Sequence, residues 1–509
     1  MEKRLVIAIA LSLLVLLSWS VFMPKPQVVD NKGVVEQTAV LSANSSLKSM
    51  TSSSTVITTS PEVLVTQPIK FIQNNREIIF NAANATIVNA VFKDTLEYQM
   101  PLQVGFLTND TLNFKQKSLT QDSISFVYED QNRRVTKKYF IPKDSYAIDL
   151  EVLVDNLSSS VLVFNPQLVL GRLNLDAKNP QSRYQDVLFS GREKTTHIAA
   201  GKDSNSQDIK FIGLRDQYFC AIVQPKDLVS NAYVKKLNAQ ESEIGLFTKE
   251  ITLKPGAQIG QMYRIYLGPQ DLKTLNSINP EWTSIINFGM FDFIAQLILQ
   301  LLGFFYSLVH NWGWALIMLS VSVYLVLFPL SIKQMRSMKE MQILQPKIEA
   351  LRKEYKDNPQ RLNKEIMELY KEHKVNPLSG CLPLLLQMPI FFALYQALIR
   401  SVALRGAHFW WITDLSSPDK LFVFKNSIPL VGNQLNILPI LMAIGMFVQQ
   451  KISMGKATSE AAQQQKIMMI VMPIMFGVIF YQMPSGLVLY WFVNSMLMLG
   501  YQFRINCQK

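Results

Sequence analysis

The chain is poor in the residues that most enzymes use for chemistry. Its three cysteines, Cys220, Cys381 and Cys507, lie far apart in 509 residues. They form no C-x-x-C pair, which excludes a redox couple, a disulfide framework and a thiolate zinc site. The four histidines, His197, His310, His373 and His408, form no H-E-x-x-H and have no clustered ligands beside them, which excludes a zinc hydrolase of that kind. Charge is also scarce: 17% of residues are charged against 49% hydrophobic, and the mean hydropathy is +0.14, high for a soluble protein. The apolar residues gather in long runs near the start and after residue 290. That is a membrane signature. The net charge of +12 then fits basic loops held on the cytoplasmic side and close to anionic lipid, so no nucleic-acid binding is expected.

The charge pattern at the start sets an orientation. Lys3-Arg4 precede the apolar stretch Leu5 to Phe22, which is about as long as a bilayer span and is followed by no A-x-A cleavage site. Residues 1–23 therefore read as an uncleaved transmembrane anchor, with the chain beyond it outside. Residues 24–60, rich in Ser, Thr, Val and Pro, read as a flexible tether. Between 61 and 280 the texture changes to short β-type runs such as Glu77–Phe80, Ala85–Val88, Ala147–Val154 and Val161–Phe164, punctuated by Asn, Asp, Gly and Pro. This predicts a large all-β domain, a sandwich, on the periplasmic side.

Residues 281–311 follow. Within them Phe291 to Asn311 is apolar but carries Asp292, Gln296, Gln300 and Ser307 at near-helical spacing, as in a helix lying in the membrane surface. Residues 312–332 have the length of a transmembrane helix, predicted to end at Pro329 and the basic cluster Lys333, Arg336, Lys339. Residues 333–375 carry two amphipathic helical periods on either side of Asp357-Asn358-Pro359, which predicts a cytoplasmic helical hairpin. Within 376–509 four more spans are placed at about Leu382–Val402, Ile428–Val448, Ile467–Gln482 and Leu487–Phe503, with Phe409-Trp410-Trp411 in the outer aromatic belt. The expected total is six transmembrane helices with both termini cytoplasmic.

Five motifs now stand in order. Asn311-Trp312-Gly313 enters the second span, and Leu344-Gln345-Pro346-Lys347-Ile348 lies in the hairpin. Asn376-Pro377-Leu378-Ser379-Gly380-Cys381-Leu382-Pro383-Leu384-Leu385-Leu386-Gln387-Met388-Pro389-Ile390-Phe391 leads the third span. Gln465-Lys466-Ile467-Met468 and Pro484-Ser485-Gly486-Leu487-Val488-Leu489-Tyr490 complete the set. In this order they resemble the YidC-type membrane protein insertases, the YidC/Oxa/Alb family. Asp216-Gln217-Tyr218-Phe219 and Leu267-Gly268-Pro269 match more loosely. A large β domain looks like the family's Gram-negative branch.

The resemblance implies a β-supersandwich in the periplasm, a five-helix insertase core in the inner membrane, no cofactor, no nucleotide hydrolysis and no enzymatic activity. It also implies a polar groove open to the cytoplasm and to lipid. The polar span residues Ser320, Ser322, Tyr324, Gln387, Gln396, Tyr490 and Asn494 are candidates for its lining; the plainer role for each is hydrogen bonding between helices. Met388, Phe391, Phe392, Met469, Met472, Met475 and Phe476 are candidates for an apolar slide, since flexible, polarizable Met accepts many different helices. Ordinary packing or lipid contact is the alternative for each. Lys347, Arg352 and Lys353 in the hairpin are candidate contacts for the arriving chain or the translation machinery, or for anionic lipid.

The partners implied are nascent membrane proteins, the Sec translocon with its accessory subunits, the ribosome and membrane lipid. The long basic tail that supports ribosome contact in many relatives is not seen after Phe503 in this sequence, which ends at Lys509. Where many relatives carry a groove arginine, this sequence has Tyr324. Two other classes fit less well. A small-solute transporter should show internal repeats and intramembrane ion pairs, and an intramembrane protease needs a nucleophile and a base at membrane depth; neither pattern is present.

Overall fold

The computed structural model describes residues 68–507 apart from 74–75, 94–95, 109–111, 177–181, 193, 200, 227–229, 356–357, 374, 376–381, 429–431 and 454–459. The predicted anchor and tether lie outside these residues.

The all-β domain forms as expected. Strands Ile69–Gln73, Arg76–Asn81, Thr86–Phe92 and Tyr98–Gly105 make a four-stranded antiparallel sheet. It packs on a thirteen-stranded sheet whose central strands are Ser204–Arg215, Phe219–Pro225, Gln258–Pro269 and Ala147–Asn156. Ala147–Asn156 shows why: buried and half-buried positions alternate along it, the period-two pattern of a strand with one face in a core. The two sheets share that core. Phe92 stacks on Phe219 at 4.0 Å, and Phe80 sits edge-on to Tyr139 at 5.1 Å.

Lys137 is buried in this core. Its ammonium donates to the carbonyls of Ala85 at 2.7 Å and Phe106 at 2.6 Å. Ala85 and Phe106 both hold left-handed backbone, at φ 49° and 65°, and Lys137 thereby ties their turns to the large sheet.

The outer face of the large sheet is covered by the chain that leads to the helices. Helix α1 (Leu272–Ile278) is capped by Asp271, which accepts from the Thr274 amide. The 3-10 turn Pro280–Ile285 then buries Trp282 and Ile285 against Leu188, Phe211, Cys220, Ile222 and Tyr266. Gly213 leaves room for the Ile285 side chain: a Cβ there would meet Ile285 Cδ1 at 2.5 Å.

Helix α2 (Asp292–Val309) ends at His310, whose φ of 51° turns the chain. Asn311 restarts it by accepting from the Gly313 and Trp314 amides, the N-cap role suited to an Asn. On α2, Ala295, Ile298 and Leu302 are buried, whereas Phe293, Leu297, Phe304 and Leu308 are exposed. The uncovered face mixes these apolar side chains with Gln300 and Ser307 of the predicted polar stripe, both exposed, while Asp292 and Gln296 are half-buried.

Helix α3 runs unbroken from Trp312 to Glu354. It does not end at Pro329, and Pro346 also lies inside it. A proline removes one backbone donor, but in an apolar helix the neighbouring turns hold the geometry. Its far half forms the first arm of the predicted hairpin and α4 (Pro359–Glu372) the second. Leu344 and Ile348 meet Ile366, Leu369, Tyr370 and Val375 between the arms.

The remaining helices are α5 (Leu382–Ile399), α6 (Ile437–Ser453), α7 (Glu460–Phe480) and α8 (Ser485–Cys507). The span placed at Ile428–Val448 is corrected. Strands Phe422–Ile428 and Gly432–Leu435 form a β-hairpin, and the helix begins only at Ile437. Helix α8 packs on α3 and α6, while α2 packs on α3 and α5.

Candidate functional site

The polar residues of the helices separate into two kinds. Ser320 is fully buried, but its hydroxyl donates to the Leu316 carbonyl one turn back at 2.8 Å; Ser322 does the same to Met318 at 2.9 Å. These hydroxyls already have partners in their own helix. Tyr324 differs. Its hydroxyl is buried and has no hydrogen-bond partner among the described residues. Its ring lies 5.7 Å from Phe328, which meets Tyr501 at 4.8 Å.

Gln387 and Tyr490 are brought together from α5 and α8: the Gln387 amide donates to the Tyr490 hydroxyl at 2.9 Å. Tyr490 is 1% exposed. Asn494, one turn on, donates to the Tyr490 carbonyl at 3.0 Å. Gln396 is half-buried on α5, outside this pair.

The apolar candidates converge on a residue the sequence reading missed. Trp491 lies 5.6 Å from Phe391, 5.5 Å from Phe476 and 5.1 Å from Phe480, so α5, α7 and α8 share one aromatic cluster. Trp491 immediately follows Tyr490, and a polar pair and an aromatic cluster therefore meet at one level of α8. Phe392 belongs elsewhere, 42% exposed and parallel to Phe291 at 6.3 Å. Met388, Met469, Met472 and Met475 are half-buried.

In the helical arms Lys347 Nζ lies 3.1 Å from His373 Nε2, while Arg352 and Lys353 are exposed. A separate open cleft of about 630 Å³, lined by Gln167, Asn205, Tyr233 and Phe247 among others, lies on the β domain away from the helices.

The β domain grips the helices at one end. Gln217 donates to the Ile399 carbonyl at the end of α5 at 3.0 Å, and the Tyr218 hydroxyl to Ser416 Oγ at 3.4 Å. Arg405 donates to the carbonyls of Leu96 and Glu97 at 2.7 and 2.6 Å and lies over the Tyr98 ring at 4.8 Å. Beside this contact Asp186 takes Arg215 and His197, each at 2.9 Å. Burial pushes the Asp186 pKa up, but these partners outweigh it and hold the carboxyl below its usual range. Burial likewise pushes Asp216 up, although it accepts from Tyr98 at 2.8 Å.

Comparison with known proteins matches both halves of the molecule. The family model described as "60Kd inner membrane protein" covers residues 304–509, and that described as "YidC periplasmic domain" covers 101–301. These define a bacterial inner-membrane protein that carries a periplasmic domain. The membrane protein insertase YidC of Geotalea daltonii is 30% identical over 99% of this chain and 99% of its own length. That of Pelobacter propionicus is 37% identical over 74% of this chain and 70% of its own. The crystal structure of YidC from Thermotoga maritima aligns over 86% of this chain and 97% of its own, with 13% identity and a TM-score of 0.34. The chain belongs to the YidC family of membrane protein insertases, which is not an enzyme family.

Proposed function

We propose that this protein inserts integral membrane proteins into the inner membrane and helps them fold, alone or with the Sec translocon. The observation that carries this reading beyond family membership is the junction at Tyr490 and Trp491. A buried hydrogen-bonded pair lies directly beside an aromatic cluster shared by α5, α7 and α8. An arriving chain needs both kinds of surface. Polar groups that enter hydrocarbon unsatisfied cost several kcal/mol each, so donors and acceptors along the path lower the barrier. The segment that remains in the membrane needs an apolar surface along which to leave.

In this reading six helices cross the membrane, counting the anchor in 1–23, with both termini cytoplasmic and the β domain, of supersandwich type, in the periplasm. Gln387, Tyr490 and Asn494 border the polar path with Tyr324, whose hydroxyl can bond a passing group. Ser320 and Gln396 line it secondarily. Phe391, Phe476 and Met388, Met472 and Met475 form the slide, and Phe392 extends it toward α2. Lys347, Arg352 and Lys353 meet the arriving chain, the ribosome or anionic lipid. No cofactor takes part.

No Lys or Arg lies between Trp312 and Ile332, so the path selects by hydrogen bonding and apolar contact more than by charge capture. The test is insertion, in reconstituted vesicles, of one client whose translocated tail carries no, one or two acidic residues. Little preference among these tails is expected for the wild type and a gained preference for acidic tails in Tyr324→Arg. A strong wild-type preference for acidic tails would overturn the role given to Tyr324.

A further inference from the structure

We propose that the strand pair Phe422–Ile428 and Gly432–Leu435 is a lipid-contacting blade that rests in the headgroup zone of the outer leaflet and fixes the depth of α6. Its two strands pair through Phe422↔Leu435, Val423↔Gln434 and Ile428↔Gly432 and join no other sheet. Such an isolated ribbon is marginal in water unless something covers a face.

Residues 422–426 of the first strand are uncovered, while Gln434 and Leu435 at the base of the second are half-buried. Phe422 is 58% exposed, Val423 68% and Phe424 37%, and Lys425 and Asn426 are exposed as well. Side chains alternate across a strand, which places Phe422 and Val423 on opposite faces; the register shifts between Val423 and Ile428, in the stretch that carries Phe424 and Lys425. The base, in contrast, is bolted down by buried polar groups. Asp419 accepts from the Ile437 and Leu438 amides that open α6, at 2.9 and 2.8 Å. Asn436, fully buried, accepts from the Lys420 amide at 3.0 Å and donates to the Tyr481 carbonyl at 2.6 Å. The Tyr481 hydroxyl donates in turn to the Gln434 carbonyl at 2.9 Å. A rigid polar stem thus carries an apolar blade.

The position of the blade selects lipid as its occupant. It sits at the end of the helices that the β domain grips through Ile399 and Ser416, which is the periplasmic end. It leads straight into the uncovered stripe Ile440, Ile444 and Val448 on α6, one residue per turn, so the apolar surface continues from helix to hairpin. Exposed Trp410 and Trp314, 6.4 Å apart, share that end, as interfacial tryptophans do. The open strand edges bar the hairpin from the hydrocarbon itself. At headgroup level they remain hydrated, the Phe rings reach the acyl boundary, and Lys425 meets lipid phosphate.

This inference rests on α6 spanning the membrane, and the experiment separates the two claims. Full-length protein carrying Cys381→Ser and Cys507→Ser, with Cys220 buried, is reconstituted in phosphatidylethanolamine–phosphatidylglycerol vesicles. A fluorophore is placed at Val423→Cys, or at Lys425→Cys should the first variant misfold, with Ile444→Cys and the β-domain site Lys254→Cys as references. Quenching is read with nitroxides at shallow and deep acyl positions and with aqueous iodide. At the blade, roughly twofold or greater shielding from iodide relative to Lys254 is expected, with quenching stronger from the shallow than from the deep nitroxide. Iodide access equal to Lys254, shielding from both quenchers as under a second protein copy, or stronger deep quenching would each overturn the proposal. Failure of the Ile444 site to respond to the deep nitroxide would instead overturn the spanning of α6.

Discussion

The Gln387 side-chain amide donates to the Tyr490 hydroxyl at 2.9 Å across α5 and α8, in a setting where Tyr490 is 1% exposed. Removing Gln387 takes a partner from the buried Tyr490 hydroxyl, and a stranded buried group costs roughly 1–3 kcal/mol. Gln387→Leu and Tyr490→Phe are each expected to lower the unfolding temperature in detergent and to slow client insertion. The double variant should be less impaired than the sum of the two, because it leaves neither group stranded. Strictly additive losses would show that the pair is not coupled.

Arg405 is the clamp between the β domain and the segment after α5. Its two bonds to the Leu96 and Glu97 carbonyls are partly exposed, so Arg405→Ala is expected to weaken the contact by roughly 1 kcal/mol. The readout is faster proteolysis of the junction. Because no proposed path residue lies in the β domain, insertion should persist in this variant and in a deletion of 61–267 that keeps α2. A well-expressed deletion lacking all insertion would refute that division of labour.

Lys137 makes the β domain sensitive to alkaline pH. Burial pushes its pKa from 10.5 down to about 7, so between these values the unfolded chain holds a proton that the folded chain lacks. Stability contributed by this group therefore rises as pH rises through that window, by a few kcal/mol at most, at about 1.4 kcal/mol per pH unit. Thermal unfolding of the full chain from pH 7 upward should show the trend. Lys137→Met should flatten it, whatever the variant's absolute stability.

The helical arms lie beyond the apolar part of α3 and pack mainly on each other. Removing residues 347–372 is expected to abolish insertion while the thermal transition of the remaining helices stays within a few degrees of wild type. A stable, fully active deletion would reduce the arms to a spacer.

The β domain, the helical arms and the apolar helices were legible because each rests on a repeating pattern: alternation in Ala147–Asn156, the double amphipathic period of the arms, and long apolar runs. What was misread depended on context. Pro329 looks like a terminator in any soluble helix, yet α3 passes through it. The second hairpin strand Gly432–Leu435 directly precedes the apolar helix from Ile437, and a segment so short offers no period that separates it from the helix, so a span placed at Ile428–Val448 takes it in. Trp491 carried no signal of its own; only the convergence of α5, α7 and α8 sets it beside Phe391 and Phe476. For Ser320 the residue type suggests groove lining or a bond between helices, and the fold pairs its hydroxyl with Leu316 of the same helix.

The length of α3 has a mechanical meaning. At about 1.5 Å per residue, its 43 residues make a rod of about 65 Å, roughly twice the hydrocarbon thickness of about 30 Å. One end is pinned where Gly313 lies under the Phe409 ring, and the other carries the helical arms. The helix is therefore one continuous connection between the packed helices and the arms. Pro329 lies inside the helix between the arms and Tyr324, and a proline's missing backbone bond is where such a rod bends, so the arms and the polar residues Ser320 and Tyr324 stand on opposite sides of that point.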